Sequence, residues 1–199
     1  MIHVLDLCQE PRSLSRYEFV DPIVRALKEA GAHVSTAHYT EGPPPRAARG
    51  AVLCGTALQD NGYAGDERAF SWIRDWQYPL LGICAGMQVL AREAGATLFA
   101  HIEIAFRDLR ITAASPLLGS PRTIPCYHLH TQAVGLPPGW ACLAGTPAYP
   151  EAVWQPGTDR YGILFHPEVR NTWILSSFAR LCGEAPANLL KPADETLGR

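Results

Sequence analysis

Two short strings carry the residue types of a nucleophile, a base and an orienting acid. The first is Leu80-Leu81-Gly82-Ile83-Cys84-Ala85-Gly86-Met87-Gln88. An apolar run ends at Ile83 and a helix is expected to begin just after Gly86, which leaves Cys84 on the sharp turn between them. Gly82, Ala85 and Gly86 supply the small side chains that a crowded elbow needs. A thiol there stands close to a helix N-terminus, whose free N–H groups and partial positive charge favour the nucleophilic thiolate. The second string is Gly162-Ile163-Leu164-Phe165-His166-Pro167-Glu168. Pro167 biases His166 toward an extended backbone, and residues two apart on an extended segment share a face. Glu168 can then accept a hydrogen bond from one imidazole nitrogen while the other faces a thiol, which is the logic of a nucleophile, its base and the base's orienter. Each string also has a plainer reading: a buried structural cysteine for the first, a solvated strand end for the second.

The elements that must position these residues alternate along the chain. Residues 2–8, 33–39, 51–54, 79–83 and 162–165 read as short apolar strands. Between them, Phe19, Val20, Ile23, Val24 and Leu27 recur at helical spacing, with Pro22 in the first turn and Gly31 as a stop. Residues 41–45 form a stiff proline connector. Phe70, Ile73 and Trp76, three apart, predict an amphipathic helix over 68–76, and a further helix spans 86–94 and ends at Gly95. From 97 to 134 the pattern becomes strand-rich, with 109–112 and 127–130 alternating as half-exposed strands do. Trp173, Ile174, Ser177, Phe178 and Leu181 make a last helical stripe, closed by Gly183. The alternation predicts an α/β fold with an open, mainly parallel sheet flanked by helices. One domain is expected over residues 1–183, followed by a polar tail over 184–199.

Composition narrows the function classes. The chain has 199 residues, 47% hydrophobic and 18% charged, enough apolar surface for a real core. Net charge is −2 and no basic stripe stands out, so nucleic acid is a poor partner. No stretch approaches the ~18 apolar residues of a spanning helix, and Asp6 interrupts the N-terminus too early for a signal-peptide core. Six scattered cysteines without a CxxC pair read as reduced thiols, and a cytoplasmic location is expected.

Taken together, the two strings resemble the class I (triad) glutamine amidotransferases, whose hallmarks are a GxCxGxQ elbow and a later HPE. The resemblance implies an α/β glutaminase domain that uses no cofactor. In it Cys84 attacks the side-chain amide of L-glutamine, His166 shuttles the proton and Glu168 orients the imidazole. Leu53-Cys54-Gly55-Thr56-Ala57 stands in the place of the family's oxyanion turn, so the resemblance assigns the oxyanion site to Gly55, Thr56 and Ala85. Here Thr56 replaces the second glycine and the proline is missing. His130-Thr131-Gln132-Ala133-Val134 resembles the H-S-x-x-V segment that holds the amino-acid end of glutamine, which implies substrate contacts from Thr131 and Gln132, joined by Gln88. Specific motifs run from about residue 52 to 168.

The resemblance further implies a subunit whose ammonia serves a separate synthase. The alternatives are a free-standing γ-glutamyl hydrolase of the same superfamily and a binding protein on this scaffold, which would need none of Cys84, His166 and Glu168. The segment around His130 lacks the S-H-G-D string of the GMP synthetase branch, while the elbow string resembles the histidine-pathway branch. Cys126, His128 and His130 share a strand face and are of types that suit zinc, but no fourth ligand is evident and no metal is assigned.

Overall fold

Strands buried on both faces need no polar alternation, and β1 (Ile2–Asp6), β3 (Gly50–Leu53) and β4 (Leu80–Ile83) are buried at every residue. The structure is a computed structural model and describes residues 1–184; from residue 185 onward the expected tail lies outside the described residues. The remaining strands are β2 (Val34–His38), β5 (Leu98–Ile111), β6 (Arg122–Val134), β7 (Ala141–Gly145), β8 (Pro150–Gln155) and β9 (Arg160–Ile163). Among the described residues nine strands form one sheet in the order β2-β1-β3-β4-β9-β8-β7-β5-β6. The run from β2 to β9 is parallel. Beyond β9 every pairing is antiparallel. The expected open α/β sheet is borne out, and its parallel half carries the elbow.

The helices are α1 (Arg16–Phe19), α2 (Asp21–Glu29), α3 (Gly62–Gly65), α4 (Ala85–Glu93), α5 (Pro167–Arg170) and α6 (Thr172–Leu181). α1, α2, α5 and α6 pack together, while α4 lies on β4 and β9. The stop signals at Gly31, Gly95 and Gly183 fall where the backbone turns to positive φ just past α2, α4 and α6.

One local expectation is refined, and three elements stand where the sequence marked none. The segment Glu67–Asp75 is a 3-10 helix, not an α-helix. Its apolar residues sit three apart, the period of a 3-10 turn, and the Asp66 carboxylate caps it by accepting the Ala69 N–H at 3.2 Å. Gly62–Gly65 form the short helix α3, whose Tyr63 is buried. β7 and β8 left little trace in a stretch rich in Ala, Gly and Pro, and their pairing is interrupted by register shifts.

The outer edge of β6 returns to the elbow. Its backbone carbonyls alternate in direction, and those of Pro125, Tyr127 and Leu129 face away from β5. Pro125 accepts from Asn171 Nδ2 at 2.9 Å, Tyr127 from the His166 N–H at 2.9 Å, and Leu129 from the Cys84 thiol at 3.5 Å.

Candidate active site

Cys84 joins β4 to α4 at φ +50° and ψ −106°, a conformation that side chains rarely adopt. Its neighbours explain the glycines. A β-carbon on Gly82 would lie 2.4 Å from the Gly86 carbonyl oxygen, and one on Gly86 would lie 2.2 Å from that of Leu53. The elbow is pinned on both sides: the Cys84 N–H donates to Ile163 O at 2.8 Å and the Gly86 N–H to Cys54 O at 3.2 Å. Strand β3 therefore ends beside Cys84, and Gly55 and Thr56 follow it directly.

His166 caps α5 from the end of the β9 segment in an extended conformation. Its Nδ1 meets Glu168 Oε1 at 2.8 Å, and its Nε2 lies 3.4 Å from Leu129 O, the same carbonyl that accepts the thiol. The side chains of His166 and Glu168 are almost wholly buried. Burial opposes charging of the imidazole, but the Glu168 carboxylate and then the Cys84 thiolate outweigh it, holding His166 well above the ordinary imidazole range. Phe19 and Tyr127 pack on the ring at centroid distances of 5.5 and 6.2 Å. Gly55 is pressed against it: a β-carbon there would lie 2.7 Å from His166 Cε1 and 3.4 Å from Cys84 Cβ. Thr56 is buried, and its hydroxyl donates to Asp60 Oδ2 at 2.7 Å. Ala85 opens α4 directly after Cys84.

Gln88 is engaged by the protein itself. Its Oε1 accepts the Tyr63 hydroxyl at 2.5 Å and its Nε2 donates to Gln132 O at 2.9 Å, tying α4 to α3 and β6. Gln132, by contrast, keeps its side-chain Oε1 buried without a hydrogen-bond partner. Thr131 is half-buried beside it on β6. Sequence reasoning missed Tyr63, Asn171 and the Leu129 carbonyl. A backbone carbonyl has no signature in residue type, and Tyr63 stands between Gly62 and Gly65 in a stretch without helical spacing. The described cysteines are free, and burial pushes the thiols of Cys8, Cys54, Cys126, Cys142 and Cys182 up.

A cysteine on a strained strand–helix elbow, paired with a buried His–Glu couple on an open α/β sheet, defines a class of thiol hydrolases. The profile of the glutamine amidotransferase class-I family matches residues 16–178, and the chain belongs to that family. Both the resemblance and the expectation of an enzyme are borne out by this membership. A glutamine-hydrolyzing GMP synthase subunit of Thermococcus kodakarensis is 34% identical over 119 residues, 55% of this chain and 63% of the relative. The corresponding GMP synthase subunit of Pyrococcus furiosus is 31% identical over 139 residues, 65% of this chain and 73% of its own. GMP synthase of Neisseria meningitidis serogroup B is 33% identical over 138 residues, covering 62% of this chain but only 26% of that longer protein. These relatives carry the GMP synthase name, not that of the histidine-pathway branch. Among solved structures, a chain from Thermoplasma acidophilum described as a GMP synthase subunit superposes with a TM-score of 0.77 at 22% identity, covering 92% of this chain and 93% of that one. A glutamine amidotransferase from Thermotoga maritima reaches 0.67 at 15% identity, covering 91% and 98%. No helix among the described residues is long and apolar enough to cross a membrane.

Proposed function

We propose that this chain hydrolyses L-glutamine through Cys84, His166 and Glu168 and passes the ammonia to a separate synthase subunit, one that makes GMP. The observation that carries the reading is the shared geometry at Cys84: a strained elbow thiol and a Glu168-bound imidazole that converge on one carbonyl, Leu129 O. The thiolate attacks the side-chain amide carbon of glutamine and forms the carbon–sulfur bond. The developing oxyanion is received by backbone N–H groups of the turn at Gly55 and Thr56 and of Ala85, a stabilisation worth about 3–4 kcal/mol. The His166 imidazolium, its orientation held by Glu168, gives its proton to the departing nitrogen, and ammonia leaves. Water then adds to the thioester with His166 as base, releasing glutamate and restoring the thiolate.

Thr131 and Gln132 receive the amino-acid end of the substrate. The unpaired Gln132 Oε1 supports this role, because a buried acceptor without a partner suits the α-ammonium group. Gln88 acts by positioning Gln132 rather than by contact. The names of the two archaeal relatives, each a subunit of GMP synthase, support the separate synthase.

Two measurements test the reading together. Cys84→Ala is expected to abolish ammonia release from glutamine, and a glutamine-derived electrophile to leave one adduct, at Cys84, in the unaltered protein. An adduct at Cys54 or Cys126, or a clear preference for γ-glutamyl conjugates over glutamine in steady-state assays, overturns it.

A further inference from the structure

On the buried face of β6, away from the thiol, His128 and His130 meet Glu103 of β5. Glu103 Oε2 lies 3.8 Å from His128 Nδ1 and 3.6 Å from His130 Nε2, and the three ligand atoms lie within 4.8 Å of one another. Four-coordinate zinc with bonds near ~2.0–2.1 Å places its ligand atoms roughly 3.3 Å apart, so small side-chain rotations close the site. His128 is the telling residue. It is fully buried, yet neither ring nitrogen has a hydrogen-bond partner. An unpaired buried polar group of this kind costs about 1–3 kcal/mol.

We propose that Glu103 Oε2, His128 Nδ1 and His130 Nε2 bind a zinc ion, with a fourth position left for water. The surroundings fix the ligand atoms as a zinc site requires. His130 Nδ1 faces the His101 carbonyl at 3.2 Å, which can only accept, so the proton sits on Nδ1 and the Nε2 lone pair faces Glu103 Oε2 at 3.6 Å and the Tyr149 hydroxyl, itself bound to Glu103, at 3.3 Å. His128 Nε2 faces Glu151 Oε2 at 3.6 Å, so a proton there leaves the Nδ1 lone pair toward Glu103. Glu103 is itself held: Oε1 accepts from Arg107 Nε at 2.5 Å, and Oε2 accepts from the Tyr149 hydroxyl at 2.6 Å and from Arg107 Nη2 at 3.2 Å. The longest of these, from Nη2, is the one a cation on Oε2 weakens, and Arg107 Nη2 retains Glu151 Oε2 at 2.5 Å. The register shift between Ala100 and Glu103 in β5 sets where Glu103 enters the cluster.

Cys126, the third residue of the sequence-level zinc pattern, is not a member; Glu103 takes its place. The ion bridges β5 and β6 on either side of Leu129, whose carbonyl receives the Cys84 thiol.

The test uses full-length Cys84→Ala protein, which removes the catalytic thiol as a competing zinc ligand. Titration of Zn²⁺ against a chromogenic chelator should give one zinc per chain. Zinc binding should be lost in Glu103→Gln and His128→Ala, and Glu151→Gln should weaken it roughly 10–100-fold by removing the acceptor behind His128. Cobalt in the Cys84→Ala chain supplies a readout that needs no ligand variant to fold: visible bands of a tetrahedral site without a sulfur-to-cobalt charge-transfer band. No zinc uptake, zinc retained in Glu103→Gln, or a sulfur charge-transfer band each overturns the proposal.

Discussion

His166 is where burial and charge pull in opposite directions, and charge wins because two anionic partners, Glu168 and the Cys84 thiolate, face one ring. Replacing Glu168 by Gln removes the first of these and keeps the shape. The His166 pKa should then fall, and since the alkaline decline of kcat/KM reports loss of the imidazolium proton, that limb should move to lower pH. A pH profile of Glu168→Gln with an unmoved or raised alkaline limb contradicts the orienting role. Gly55 makes a second test. Its missing side chain is all that separates β3 from the imidazole, and a methyl at 2.7 Å from Cε1 has to displace the ring. A displacement of about 1 Å at a catalytic group costs roughly 10²-fold, so Gly55→Ala should lose about that factor in kcat while its melting temperature stays close to that of the unaltered protein. Loss of folding instead of turnover would mark Gly55 as structural.

The elements divide by how local their causes are. The elbow was legible because its demands are local: a turn that puts Gly82 and Gly86 against backbone admits only glycine, and the glycines are visible in the string. The same holds for His166-Pro167-Glu168, where two residues and a proline settle the geometry. The helix over Glu67–Asp75 is legible from its spacing of three, while its 3-10 form is not, because three apolar residues do not separate the two helix periods. β7 and β8 were not, because short strands in the middle of a sheet are held by their neighbours on both sides. The wall made by β6 was hidden for a further reason: its contributions at Pro125, Tyr127 and Leu129 are carbonyls. Asn171 anchors that wall from the start of α6. Asn171→Ala leaves the Pro125 carbonyl without its side-chain donor, a loss of about 1–3 kcal/mol if water does not replace it. Denaturant titration should show that loss, together with a raised KM for glutamine as Thr131 and Gln132 shift; unchanged stability and KM would show that β6 is held elsewhere.

As a whole the molecule brings β6, the last strand in the sheet order, back to the elbow that follows β4 in the parallel half. Under the proposed function, coupling of that kind suits a subunit that would waste glutamine by working alone. The isolated chain is therefore expected to be a slow glutaminase, and addition of the loaded synthase to raise kcat by about 10²–10³, the worth of one oxyanion donor brought into line. Steady-state ammonia release with and without the synthase measures this, and full activity of the chain alone removes the gating. The returning strand also has a consequence for how the protein behaves in concentrated solution. A sheet edge with unpaired groups invites strand addition and aggregation. On β6 the edge is closed by the candidate site: Pro125 has no N–H to offer, and Asn171, His166 and Cys84 occupy the carbonyls a foreign strand would need. A Pro125→Val, Asn171→Ala double variant should scatter more light on storage than the unaltered protein, and colloidal stability would prove to be a by-product of the same contacts that align the nucleophile.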